Sequence, residues 1–214
     1  AFDINAACSA FVFLLETAAG FFARGYRNIL VIGAERMSRI LDWQDRNTSV
    51  IFGDGAGAVV LTAGENYLDA TMTVRGGHDV INIPNFIGNS PFFKGVPEAP
   101  YVQMNGQETF KFAVNAISQD IKHLLQKNNL EMDQIKYIVP HQANKRIIDM
   151  ASVKLKVPAD KFYVNIQKYG NTSAASIPIA LDEMNRQGLL QRGDLLLLTA
   201  FGGGLAHASC LLRW

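Results

Sequence analysis

Two stretches follow one plan. VNIQKYGNTSAAS (164–176) runs into a helical stretch, Gly188 and DLLLLTAF (194–201), and DINAACSAF (3–11) runs into a helical stretch, Gly25 and NILVIGAE (28–35). Each reads as a strand, a polar loop, a helix opened by small residues, a glycine stop and a buried apolar strand. Such an internal echo predicts two similar α/β halves facing each other, with both helix N-termini directed at one site. In the overlay Cys8 and Asn171 hold equivalent positions, each just ahead of its helix.

Working outward, apolar residues at Phe11, Leu14, Leu15, Ala18, Ala19 and Phe22 give the i, i+3, i+4, i+7 spacing of a helix with one buried face over 9–24. The alternating residues 1–6 read as a strand, and NILVIGA (28–34) as a buried parallel strand. SVIF and GAVVLTA flank the turn GDG (53–55) and read as a hairpin. Residues 75–104 are rich in Gly, Asn and Pro, and a connection of that length is more often functional than idle. Asn105 and Glu108 form a capping pair for a long helix striped by Phe110, Ala113, Val114, Ile117, Ile121, Leu124 and Leu125. Strands at 135–139, 162–166 and 194–200, helices at 143–156 and 173–187, and a terminal strand complete the chain. This divides it into a first half (1–74) carrying Cys8, the connection (75–104) and a second half (105–214).

The 214 residues are 49% hydrophobic and 18% charged, enough apolar content for a sizeable core, which excludes disorder and coiled coil. A net charge of +1 gives no global attraction to nucleic acid or to an anionic membrane. No apolar run reaches the roughly 18 residues of a membrane-crossing helix. Two cysteines cannot build a disulfide framework, so a reducing, cytoplasmic setting is expected.

Cys8 stands between a predicted strand and a helix. There the helix dipole and free N–H groups lower a thiol's pKa and favour the nucleophilic thiolate; the competing reading is a buried structural cysteine. Cys210, among apolar neighbours in the terminal strand, reads as core. His141, in PHQAN after a strand, occupies the strand-end position where α/β sheets place ligands. His78, His123 and His207 have weaker claims, and no histidine pair has metal-ligand spacing with a third ligand. Asn171 alone would pass for a helix cap, but with Cys8 and His141 it completes a Cys/His/Asn set drawn from three junctions. GDGAG (53–57) lies between strands rather than opening a helix, so it fails the context for dinucleotide binding. FGGG (201–204) also joins two strands, and its amides can donate to an oxyanion.

Together NAACSAF, DRNTSVIFGDGAGAVVL, PHQANKRI, GNTSAASIP and AFGGG resemble the β-ketoacyl-acyl-carrier-protein synthase III family, in its order and from end to end of the chain. The resemblance implies a thiolase-like fold, two related α/β halves layered helix-sheet-helix-sheet-helix, with the N-terminal half incomplete. It implies that Cys8 takes an acyl group from an acyl-CoA, with the amides of Cys8 and Gly203 as oxyanion hole. His141 and Asn171 would hydrogen-bond the thioester carbonyl of malonyl-acyl carrier protein as CO2 leaves. The elongating synthases pair cysteine with two histidines, so Asn171 points to the initiating branch or its plant-type relatives. Phe201 resembles an aromatic packed at the site, and Arg46 an arginine on the CoA nucleotide. Gly106, Phe110, Asn144 and Ile147 would line the pantetheine tunnel, and Asn47 departs from a glycine common there. Lys111, Lys145, Arg146 and Lys154 would dock the acidic carrier protein, against the plain reading of a solvated face. No cofactor beyond the CoA thioester substrate and no metal is implied, and the family is typically homodimeric.

Two other readings compete. A papain-like cysteine hydrolase also places Cys at a helix N-terminus with His and Asn downstream, but its local signature is absent. A carrier-protein-binding portion of such a synthase, itself inactive, is the other. Against the family, the chain is expected to start on the strand leading into the nucleophile and to lack the preceding third.

Overall fold

The computed structural model describes residues 1–84, 91–92 and 100–214. Elements are numbered in chain order. At the centre lies β7 (Leu195–Gly202), flanked by parallel β6 (Ile135–Pro140) and antiparallel β8 (Ala206–Arg213); β3 (Tyr67–Val74) joins β8 on its far side. Because strand side chains alternate, β7 feeds two cores. Leu197 and Phe201 enter one, shared with α2 (Gly106–Lys127) and α3 (Lys145–Leu155). Leu196, Leu198 and Ala200 enter the other, shared with α1 (Ala10–Phe22) and α5 (Ser176–Arg186). Beyond α1 and α5 lie β1 (Asn28–Glu35) and β2 (Gly55–Thr62), paired antiparallel as a separate two-stranded sheet. The layers therefore run helix, sheet, helix, sheet. Short strands β4 (Ile81–Asn82) and β5 (Gln103–Met104) pair with each other, and α4 (Ile166–Tyr169) is a single turn.

The helices form where apolar spacing and caps demand them. In α1, Phe11, Leu15 and Ala18 are buried at i, i+4 and i+7, and Gly25 at φ 90° turns the chain out of the helix. Asn105 caps α2 by accepting from the Glu108 N–H at 3.2 Å, while the Glu108 carboxylate turns outward to Lys111. The α2 stripe of Ala113, Val114, Ile117, Ile121 and Leu124 is buried, each leucine-sized side chain contributing about 1.5–3 kcal/mol of transfer free energy.

The internal echo extends further than the sequence indicated. Helices α1 and α5 share a layer, and each is preceded by a 3₁₀ turn, Ala7–Ser9 and Ser173–Ala175. Each is followed by a positive-φ glycine, Gly25 and Gly188, and then by a strand with an antiparallel partner, β1–β2 and β7–β8.

Several strand expectations fail or change. Residues 1–6 are not a strand; no strand among the described residues pairs with them. Strand β1 is antiparallel rather than parallel, with Leu30 and Ile32 exposed. SVIF makes no hairpin with β2, which pairs with β1, and Phe52 instead bridges Asn171. Of FYVNI only Phe162 bridges β6, since the N–H groups of Asn165 and Ile166 donate to Oε1 of Gln142 at 3.0 and 3.2 Å. Strand β3 went unread, and it places a strand from before residue 75 in the sheet of the second half. Part of the 75–104 connection lies outside the described residues.

Candidate active site

Three junctions meet at one cavity of about 1570 Å³, lined among others by Cys8, His141, Asn171, Phe201 and Gly203. Cys8 sits in the 3₁₀ turn Ala7–Ser9 that leads into α1, after Ala7 at φ 47°. Gly202 lets the end of β7 press against this turn: a Cβ there would stand 2.8 Å from the Cys8 backbone nitrogen. The amides of the turn and of the glycine run thus lie close together.

His141 follows Pro140 at the carboxyl end of β6, where its N–H continues the ladder to the Thr199 carbonyl at 2.7 Å. The ring is 1% exposed, edge-on to Phe201 at 5.5 Å between centroids, with Nδ1 2.7 Å from the Ser176 hydroxyl. Nε2 is buried without a partner among the described residues. Burial pushes the imidazole down to about 3, so the ring is neutral at physiological pH.

Asn171 is pinned through its backbone. Its N–H donates to the Ile51 carbonyl at 2.8 Å, and its carbonyl accepts from the Gly53 N–H at 3.0 Å. This is the work of GDG: a Cβ on Gly53 would stand 2.1 Å from the Tyr169 carbonyl, so the loop closes only with glycine. Asp54 anchors the same loop by accepting from the Ser38 N–H and hydroxyl at 2.7 and 2.6 Å. The Asn171 side-chain oxygen accepts from the Ser173 N–H at 2.9 Å, which leaves the amide hydrogens to face outward.

One expectation is reversed. Burial pushes the half-buried Cys8 thiol up to about 11, eased by the Ser173 hydroxyl and reinforced by the Glu35 carboxylate. Desolvation of the thiolate is the largest cause, and it acts against the lowering expected at a helix N-terminus. The Ser173 hydroxyl donates to Glu35 Oε1 at 3.2 Å.

The other sequence-derived residues divide. Gly106, Phe110, Asn144 and Ile147 line the cavity. Arg46 is exposed and outside the lining, which its neighbour Asn47 joins. Lys111 and Lys145 are exposed and paired with Glu108 and Asp149 at 2.8 and 2.7 Å, and Lys154 donates to Asn115. Arg146 is exposed and makes no side-chain hydrogen bond or ion pair among the described residues. Cys210 is core. His207, given a weaker claim from the sequence, pairs with buried Asp120 at 2.9 Å. Ser173, Ser176 and Gln142 were missed as well. They stand inside GNTSAAS and PHQAN, where small and polar residues read as helix openers. Among the described residues no helix is long and apolar enough to cross a membrane, and no cluster of metal-ligating side chains occurs.

Comparisons with known proteins identify the family. Residues 2–76 match the family described as 3-oxoacyl-[acyl-carrier-protein (ACP)] synthase III, and residues 125–214 its C-terminal counterpart. The chain is 47% identical over its whole length to a β-ketoacyl-[acyl-carrier-protein] synthase III of Clostridium acetobutylicum, covering 67% of that protein. It is 49% identical to the protein of the same name in Clostridium beijerinckii, covering all of this chain and 68% of that one. The crystal structure of 3-oxoacyl-[acyl-carrier-protein] synthase III from Aquifex aeolicus superposes with a TM-score of 0.90 at 44% identity, over all of this chain and 67% of that one. The chain thus spans about two thirds of the length of these relatives and has the thiolase-like fold. It belongs to the β-ketoacyl-acyl-carrier-protein synthase III family.

Proposed function

We propose that this chain carries the chemistry of the initiating condensing step of fatty-acid synthesis. The carrying observation is the meeting of Cys8, a neutral His141 and the amide of Asn171 on one cavity. Cys8 sulfur attacks the thioester carbon of an acyl-CoA. The new S–C bond forms, the C–S bond to CoA breaks, and CoA leaves as the thiol with the proton Cys8 gives up. Backbone amides of Cys8 and Gly203 stabilise the tetrahedral oxyanion. Malonyl-acyl carrier protein then binds with its thioester oxygen between His141 and Asn171. As the bond to CO2 breaks, its electron pair moves into the enolate, which these two donors stabilise. The carbanion attacks the acyl-Cys8 carbonyl, a C–C bond forms, and the Cys8 sulfur is expelled as thiolate and takes up a proton from solvent. The product is 3-oxoacyl-acyl carrier protein.

A neutral imidazole suits this role. Decarboxylation calls for a hydrogen-bond donor at the developing enolate oxygen, and a strong base would not help. The pantetheine arm runs past Gly106, Phe110, Asn144 and Ile147, with Phe201 packed at the site and Arg46 toward the nucleotide. Arg146, exposed on α3 and unpaired among the described residues, leads the carrier-protein dock, with Lys111, Lys145 and Lys154 around it. The working state is a cytoplasmic homodimer that needs no cofactor beyond the thioester substrates.

Acylation with radiolabelled acetyl-CoA separates the roles. Cys8→Ala should retain no label, while His141→Ala and Asn171→Ala should acquire it and fail to release 3-oxoacyl product. Loss of labelling in both of the latter variants would overturn the assignment. Rapid loss of label to water from the parent protein would favour a hydrolase.

A further inference from the structure

We infer that Ser176 is the positioning residue that sets the tautomer of His141, holding the ring hydrogen on Nε2 so that this nitrogen offers an N–H to the cavity. Its consequence for catalysis rests on the function proposed above; the tautomer itself does not.

Ser176, the first residue of α5, is 3% exposed, and its hydroxyl oxygen lies 2.7 Å from His141 Nδ1. The same oxygen accepts from the Gln142 N–H at 3.4 Å. A neutral imidazole carries one hydrogen, so two arrangements exist. In the first, Ser176 accepts from Gln142 and donates its hydroxyl hydrogen to Nδ1. Every polar group of the trio is then satisfied, and Nε2–H remains for a ligand. In the second, Nδ1–H and the Gln142 N–H both donate to Ser176. The hydroxyl hydrogen is then buried with no acceptor among the described residues, which disfavours this arrangement by about tenfold or more. It would also turn a bare Nε2 lone pair toward an incoming carbonyl oxygen, acceptor against acceptor.

Asn171 shows the same logic five residues upstream. Its side-chain oxygen is occupied by the Ser173 N–H at 2.9 Å, which leaves only donors free. The loop GNTSAAS thus satisfies the acceptor side of both groups, and both present hydrogens to the cavity. His141 Nε2, buried and unpartnered, is the group this arrangement reserves for a ligand atom.

Two-bond 1H–15N correlation spectra of 15N-histidine-labelled protein report which ring nitrogen is protonated, and His141→Gln identifies the resonance. The parent protein should show His141 protonated at Nε2. Ser176→Ala should shift the ring toward the Nδ1–H form or a mixture, and Ser176→Thr, which keeps the hydroxyl, should restore Nε2–H. In parallel, Ser176→Ala should load acyl groups onto Cys8 within about twofold of the parent but lose about tenfold or more in condensation, with Ser176→Thr recovering. Nδ1 protonation in the parent overturns the proposal, as does a Ser176→Ala protein that keeps both Nε2–H and full condensation. Should Ser176→Ala fail to fold, the parent spectrum and Ser176→Thr still decide. If the parent protein takes up no acyl group, the proposed function fails, while the spectrum continues to judge the tautomer.

Discussion

At the scale of single residues, burial moves Cys8 and His141 in opposite directions. Desolvation penalises whichever form is charged, so it raises the thiol to about 11 and lowers the imidazole to about 3. Both groups are therefore neutral near pH 7, and the proton on Cys8 must leave in the course of attack. The sequence placed Cys8, His141 and Asn171 because each stands at a junction where a helix begins. It misjudged the thiol because a helix N-terminus is visible in a pattern of letters and the depth of burial is not. For His141 the shift links to stability. The unfolded ring binds its proton near pH 6.5 and the folded ring only near 3. The contribution is fully present above pH 6.5 and is lost as pH falls from there toward 3. Its slope reaches about 1.4 kcal/mol per pH unit. Urea denaturation at pH 7.5 and 5.0 should therefore show His141→Gln losing about 2 kcal/mol less than the parent over that interval. Equal losses would mean that the ring is not held neutral by burial.

At the scale of elements, the long helices were legible and so were the strands at 135–139, 194–200 and the C-terminus, but strand pairing was not, for a physical reason. A helix closes its hydrogen bonds within four residues, so the stripe of α2 and the glycine stop of α1 carry their own evidence. A strand depends on a partner that can lie anywhere in the chain. GAVVLT was correctly apolar and extended, yet its partner is β1 across an intervening loop, while FYVNI gave its ladder groups to Gln142. The GDG turn shows what the missing partner conceals, since its glycine exists to let Tyr169 and Asn171 approach. Gly53→Ala should cost about 1–3 kcal/mol through overpacking against backbone and should also weaken condensation by displacing Asn171. Gly20→Ala is the contrasting case: this glycine lies inside α1 with nothing within 4 Å of a new Cβ. Helix propensity alone then predicts a gain of about 0.5–1 kcal/mol. Thermal or urea denaturation of the two variants should give opposite signs; a destabilised Gly20→Ala would show that α1 is not limited by its backbone.

At the scale of the whole molecule, the two sheets are treated unequally. The four-stranded sheet is sandwiched between α2–α3 and α1–α5, and Leu196, Leu197 and Leu198 on its central strand are fully buried. The β1–β2 sheet is covered on one face only. Its register sets Leu30 opposite Val60 and Ile32 opposite Ala58, so these side chains share the outer face, with Leu30 60% and Val60 70% exposed. Both outer edges of this pair also lack a neighbouring strand among the described residues. An apolar face bounded by free edges is the combination that promotes association between chains. Light scattering of this 214-residue chain should accordingly reveal self-association that grows with concentration. Leu30→Lys with Val60→Glu should suppress it, since charged side chains on that face oppose its burial against a second copy while the opposite charges, directly across the strands, keep the pair together. The double variant gives up no core contact of the larger sheet, so that sheet's near-native circular dichroism should persist. Unchanged scattering in the double variant would place the contact elsewhere, with the exposed Met150 and Val153 of α3 as the next apolar pair to replace.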